Sequence, residues 1–442
     1  MKILWVGDSP NVETGFSRCT RAACYELIAE GHQVAIIGIN EPGDTPTDDT
    51  EWVPKPTPPF PIYRPANAYD GGRDGFGVTR LPRLMHRMKP DLVVLLNDPW
   101  NVPPYMRGIK QYANVLQGVE GSQAKPAKEQ ARDILNIPVI AWLAVDARNQ
   151  KGADLEGLDR VAVWTEFAKH ELRVGGYLGP CDVVPLGVDS KRFHPLPTYD
   201  DHLKARVNLT NRPIPEDAFL VGAFGRNQPR KRLDLTLSYF ADWVHAYDID
   251  DAYLYIHTAP TGERGCDIRA LAKFHGLEGR LILSETEPGQ GLPDADMARS
   301  YQALDVYLST TQGEGWGLPA LEAMACGVPC VLPDWSAFGD WARGTALLVP
   351  CSGTALTAPI NGNPYTVGGV ADRLKTMDAL QKLYAPTMRR RMYEKYGTRG
   401  RKLAETLTWE RTARGVVTWA ERAYDVANAP KLSHAKGAPT GG

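Results

Sequence analysis

"LDVYLSTTQGEGWGLPALEAMACGVPCVLPD", residues 304–334, reads as a strand, a turn, a helix and a second strand with nothing between them. Its ends, "LDVYLST" 304–310 and "VPCVLPD" 328–334, are short apolar runs. Strands look like this when a parallel sheet is covered by helices on both faces. Between them, "LPALEAMAC" has helical composition and Gly327 suits its end. This order makes one βαβ unit, and such units stack into a doubly wound sheet.

The same grammar extends in both directions. Toward the N-terminus, "KILWVG" 2–7, "QVAIIGI" 33–39, "DLVVLLN" 91–97, "PVIAWLAV" 138–145, "RVAVWT" 160–165 and "CDVVPLG" 181–187 are strand-like, with helix-length segments between them. The pattern then restarts with "AFLVGAFG" 218–225, "AYLYIHTA" 252–259, "RLILSET" 280–286 and "TALLVP" 345–350. Two βαβ series predict an α/β protein of two doubly wound, Rossmann-like domains facing a central cleft. The boundaries read as a first domain over 1–195, a proline-rich and polar linker over 196–215, a second domain over 216–405, a last helix over 406–428 and a disordered tail over 429–442. Three other stretches read as irregular or exposed: the Pro/Gly-dense 41–77, the polar 121–130, and "DAD" 294–296 as a loop turn before a helix.

Composition narrows the function without naming it. The 442 residues carry a net charge of −2, and 43% are hydrophobic. Neither value gives a global reason to bind nucleic acid or lipid. No apolar run is long enough to span a bilayer, and "MKILWVGDSP" reads as a first strand, not a leader. Seven scattered cysteines without a CxxC pair suit reduced thiols in a cytoplasmic protein.

The chemistry concentrates in "TQGEGWG". A glycine-rich turn from a parallel strand into a helix start offers backbone N–H groups and a positive dipole end to an anion. Glu314 lies in that turn and Glu322 in the helix that follows. Each carboxylate accepts two hydrogen bonds and suits a vicinal diol. A phosphate cradle with two diol receptors describes a nucleotide sugar. At the carboxyl end of "AFLVGAFG", the run "RNQPRKR" supplies cations that would offset charge growing on a departing diphosphate.

At these residues the chain resembles retaining GT-B glycosyltransferases of family 4, the glycosyl transferases group 1 type. "EGWGLPALEAMACGVPCV" is similar to that family's E-x7-E signature, and "VVPLGVDSKRFHP" 183–195, "VGAFGRNQPRKRLDL" 221–235, "YQALDVYLST" 301–310 and "LTWERTARGVVTWAERA" 407–423 match further segments in order. The resemblance covers residues 1 to about 425. It implies a metal-independent transfer of a hexosyl group from a UDP- or GDP-linked donor to an acceptor hydroxyl, with no bound cofactor. It implies that Arg226 and Lys231 contact the diphosphate and Glu314 the hexose. Gly315, Trp316, Gly317 and Leu318 would present amides to the donor, Glu322 would hold the ribose, and Gly15 would approach the phosphates. Asp146 falls where many members carry a histidine, Trp316 replaces the usual phenylalanine, and Thr165 stands where serine is common.

The acceptor is open between a glycan, a lipid-linked glycan and modified nucleic acid. In "TRLPRLMHRMKP" 79–90, Arg80, Arg83 and Arg87 share one helical face, and Leu81, Leu84, Met85 and Met88 the other. Such a helix would meet anionic lipid or phosphates and so place the protein at a membrane periphery, or would simply pack on the core. The aromatic loop residues Trp52, Phe60, Tyr63 and Tyr69 would stack on sugar or base, or lie in a surface loop. Rival readings are a GT-B epimerase, a phosphorylase and a non-catalytic nucleotide-sugar-binding protein.

Overall fold

A computed structural model describes residues 1–41, 59–65, 74–207, 209, 214–215, 218–258, 264–285, 292–357 and 365–429. Seven parallel strands form the first sheet: β1 (Lys2–Asp8), β2 (Gln33–Ile39), β3 (Ile62–Tyr63), β4 (Leu92–Asn97), β5 (Val139–Leu143), β6 (Arg160–Val163) and β7 (Cys181–Val183). Their spatial order is β3-β2-β1-β4-β5-β6-β7. Six more form the second sheet: β8 (Phe219–Phe224), β9 (Ala252–Thr258), β10 (Leu281–Glu285), β11 (Val306–Leu308), β12 (Cys330–Pro333) and β13 (Leu347–Val349), ordered β10-β9-β8-β11-β12-β13. Both orders reverse direction beside the first strand of their series, the switch point at which open α/β sheets form a crevice. Every residue of β4, β5 and β8 is buried, as strands covered on both faces must be.

The two lobes share one apolar core. Trp5 packs edge-on against Trp142 at 6.4 Å, and Trp142 against Trp164 at 6.3 Å. The cluster continues to Trp316 and Leu318 of the second lobe. The last helix, Trp409–Asn428, returns to the first lobe and packs on helix Gly15–Ala29. Its start is pinned by Thr412 Oγ1 donating to Pro185 O at 2.8 Å.

Four expectations need correction. The stretch 41–77 is not wholly a loop: Phe60, Ile62 and Tyr63 are buried, and β3 extends the sheet edge. Phe60 and Tyr63 therefore cannot stack on a ligand, while Trp52 and Tyr69 lie outside the described residues, as does 430–442 of the tail. Residues 121–130 are exposed but regular, because helix Ala124–Asn136 starts there. It buries only the stripe Ala127, Ala131 and Ile134, too thin a pattern to announce a helix. Asp294 opens helix Asp294–Gln302 and is not a loop residue. In helix Arg80–Met88, Arg80 does not join a solvated face. It is 4% exposed, donates to Arg64 O and lies over the Tyr63 ring at 5.3 Å. Leu81, Leu84, Met85 and Met88 are all in the core, so that helix has no apolar face left for lipid. No helix among the described residues is long and apolar enough to cross a membrane.

One element had no counterpart in the sequence reading. Strands β14 (Cys351–Leu356) and β15 (Val367–Ala371) form an antiparallel pair. It pairs with the other lobe through Arg148 and Val367, with N–H···O distances of 2.9 and 3.3 Å.

Candidate active site

The cleft is built from strand ends. In the first sheet β1, β4 and β5 are neighbours. Asp8 ends β1, Asp98 follows β4, and Asp146 lies just past β5. In the second sheet β8 and β11 are neighbours, and the segments after them carry Arg226, Arg230, Lys231 and Glu314. Carboxylates of one lobe thus face cations of the other.

Two ion pairs within the second lobe and one across the cleft join these groups. Lys231 Nζ is 2.6 Å from Glu314 Oε1, and Arg230 Nη1 is 3.3 Å from Glu314 Oε2. Arg230 Nε reaches across the cleft to Asp146 Oδ2 at 2.8 Å, and its Nη1 also donates to Gly313 O at 2.5 Å. The turn Pro229–Lys231 presents these two cations inward. Arg232 has a left-handed backbone (φ +51°) and turns away to Asp234 at 2.9 Å. The basic run therefore splits into two site residues and one structural residue.

The glycines of the turn make room. A Cβ on Gly313 would sit 1.8 Å from the Asp146 carbonyl oxygen, and one on Gly315 would sit 2.9 Å from the Trp164 ring. Gly317 caps helix Leu318–Ala325 with φ +88°, a conformation that costs an L side chain. Gly15 opens helix Gly15–Ala29, and its would-be Cβ lies 3.5 Å from Leu318 Cδ1. Two helix N-termini, one per lobe, thus converge on one place, where their N–H groups and dipoles favour an anion. Trp316 stacks on Trp341 at 5.5 Å, and Trp341 Nε1 donates to Trp316 O at 2.9 Å, holding the turn. Glu314 N donates to Ser336 Oγ at 2.9 Å.

Burial and charge set the protonation states. Burial opposes the Glu314 charge, but Lys231 and Arg230 outweigh it and keep the carboxyl below its ordinary range. Burial pulls Lys231 below the ordinary lysine value, with Glu314 resisting. Burial raises Asp8, opposed by Thr14 and Arg226, and it raises Asp146, opposed by Arg230. Asp98 is pushed up to about 7, by burial and then by the neighbouring Asp146.

Asp98 therefore makes a signed prediction. Its native pKa lies above the ordinary 3.8, so its contribution to stability is fully present below about pH 4. That contribution is lost as pH rises toward 7. Asp98→Asn should stabilise the protein at pH 8 by on the order of 2 kcal/mol, allowing for the group's opening to solvent. The gain should fade below pH 4. Melting curves at both pH values check it, and an equal effect at both would be wrong for a titrating group.

Of the residues singled out in sequence, Lys231, Glu314 and Asp146 form one network with Arg230, and Gly15 meets Leu318. Glu322 lies elsewhere in the cleft, 3% exposed, with its Oε1 paired to Arg18 Nη1 of the first lobe. Arg226 is near Asp8 and Asp98, whose carboxyls feel its charge. Asp8, Asp98 and Arg18 escaped the sequence reading. A usable signal existed for the first two: an acidic residue at or just past a strand's carboxyl end.

Comparison with known proteins places this geometry. Residues 218–360 match the family described as Glycosyl transferases group 1. The D-inositol 3-phosphate glycosyltransferase of Salinispora tropica is 32% identical over 157 residues, which are 34% of this chain and 31% of that protein. The chain thus spans about a third of the length of that curated relative. Among solved structures, a sucrose-phosphate synthase from Thermosynechococcus elongatus superposes with a TM-score of 0.67 at 18% identity, covering 96% of this chain and all (100%) of that one. Anabaena HepE, solved in complex with UDP, gives 0.62 at 14% identity over 96% and 100%. At those identities the superpositions establish the fold, which is GT-B.

Proposed function

We propose that this chain, whose residues 218–360 belong to the glycosyl transferases group 1 family and whose two lobes take the GT-B fold, is a retaining glycosyltransferase. It would move a hexosyl group from a nucleoside-diphosphate sugar to an acceptor hydroxyl. The observation that carries the reading is the meeting of Lys231 and Arg230 with Glu314, 2.6 and 3.3 Å apart, beside two converging helix starts. A diphosphate needs cations and amides together, and the hexose beside it needs a hydroxyl acceptor. This cleft offers all three.

In this mechanism the bond from C1 to the diphosphate oxygen breaks while the acceptor oxygen bonds to C1 on the same face. The acceptor proton passes to the departing diphosphate. Lys231, Arg226 and the helix-start amides stabilise the charge growing there. Glu314 fixes the hexose through its hydroxyls, and Arg230 aligns Glu314 while tying it to Asp146 across the cleft. Placement of the reacting atoms supplies the rest of the acceleration. Glu322 serves the ribose. The Anabaena neighbour was solved in complex with UDP, which supports a UDP-linked donor here.

Thermal shift with UDP-, GDP- and ADP-sugars tests the reading. At a concentration about a hundredfold above Kd, the matching donor should raise Tm by about 3 °C for a chain of this size. If none of the three moves the melting curve, the proposal is wrong.

A further inference from the structure

We propose that Arg18 is an internal occupant of the ribose receptor. In the donor-free protein its guanidinium takes the place on Glu322 that ribose hydroxyls would take, and donor entry must displace it onto Asp294. This rests on the reading of Glu322 as the ribose-binding carboxylate.

The geometry is specific. Arg18 belongs to the first-lobe helix Gly15–Ala29, yet the two carboxylates it pairs with belong to the second lobe. Its neighbour Arg21 serves the local loop, donating to Pro10 O at 2.9 Å and Val12 O at 3.2 Å. Arg18 instead spans the cleft with its two terminal nitrogens divided. Nη1 meets Glu322 Oε1, and Nη2 meets Asp294 Oδ1 at 2.6 Å. Glu322 opens no route to solvent for an unpaired charge, with 4% of its side chain exposed, whereas Asp294 has 30% exposed.

This asymmetry defines an exchange. Ribose hydroxyls donating to Glu322 replace the guanidinium as its partner. The displaced cation stays beside Asp294, which remains partly hydrated and can hold it at low cost. After the exchange Glu322 keeps hydrogen-bond donors in the ribose hydroxyls and Arg18 keeps a carboxylate in Asp294. Both contacts cross between the lobes, so the Arg18–Asp294 pair keeps them tied while Glu322 changes partner. Burial works against the charge on Arg18, but Glu322 and Asp294 outweigh it and the guanidinium stays ionised. Apparent donor affinity is then reduced by the fraction of molecules in which Glu322 is occupied.

Calorimetric titration of the full chain with UDP, GDP, ADP and inorganic pyrophosphate tests this. Pyrophosphate has no ribose and reports the phosphate site alone. For the nucleotide that binds the wild type, Arg18→Gln should raise its affinity relative to pyrophosphate about tenfold. Asp294→Asn, which removes the waiting partner, should lower that ratio. Mere destabilisation would not move the two variants in opposite directions. A ratio in Arg18→Gln that is unchanged or lower overturns the proposal. So does a raised ratio in Asp294→Asn, which reads out even if Arg18→Gln does not fold. If none of the nucleotides binds wild type or either variant, the donor-site reading itself fails and this inference falls with it.

Discussion

Lys231→Ala should lower the rate of sugar transfer by about three orders of magnitude while leaving nucleotide-sugar binding detectable. The ammonium is 2.6 Å from Glu314 and sits in the Pro229–Lys231 turn after β8, where a diphosphate between the helix starts would place its charge. A positioned donor aimed at charge that develops in the transition state is worth about 10²–10³ in rate. Glu314, the proposed hexose receptor, also loses its nearest cation. Because that carboxylate is buried, a folding cost accompanies the change. Breaking one partner of a buried pair costs about 3–5 kcal/mol, and Arg230 at 3.3 Å moderates it here. Transfer should therefore be compared at a temperature well below the variant's melting point. Lys231→Arg restores charge but not shape: a planar fork cannot replace a point charge held by one oxygen. It should recover less than a tenth of the activity. Turnover within a few-fold of wild type in Lys231→Ala would remove the residue from the reaction.

This network also shows where reading a sequence succeeds. The long apolar strands were legible because a strand covered on both faces must be apolar throughout, and β4, β5 and β8 are. The turn at 311–317 was legible because a glycine-rich turn from a strand into a helix start is a recurring cradle for an anion. Its glycines have another reason too. Gly313 and Gly315 admit the opposing lobe, which only coordinates reveal.

What failed to show was what depends on pairing at a distance. Arg18 and Glu322 are 304 positions apart, and Arg230 and Gly313 are 83 apart. Nothing local to Arg18 distinguishes it from Arg21 three residues on. The two-residue β3 is too short for any periodicity, and β14–β15 is too rich in Gly, Ser and Thr to look like a strand pair. Arg80 was misplaced because helical phase alone cannot say which polar residue finds a buried carbonyl. Arg18, Arg230 and Arg80 are each set by a contact whose partner lies outside the window a pattern can see.

Gly313→Ala should abolish transfer with the fold of each lobe preserved. Its added methyl would land 1.8 Å from the Asp146 carbonyl oxygen, and that atom is backbone on the opposite lobe. No rotamer relieves the clash, so the two segments must separate by more than an ångström. Three contacts run through this point. Gly313 O accepts from Arg230 Nη1 at 2.5 Å, Arg230 Nε holds Asp146 at 2.8 Å, and Glu314 N donates to Ser336 Oγ at 2.9 Å. Moving Gly313 misaligns all of them and with them Glu314, the proposed hexose receptor. A displacement of about 1 Å at reacting atoms costs about a hundredfold, and loss of the Arg230–Asp146 tie adds to it. The site should thus lose more than the single lost pair would suggest. The control is Gly353→Ala, whose methyl would meet nothing within 4 Å. That variant should transfer sugar at the wild-type rate. Circular dichroism should be unchanged in both, while small-angle scattering should show Gly313→Ala more open. Full activity in Gly313→Ala would mean that the lobes need not close on this contact for transfer to occur.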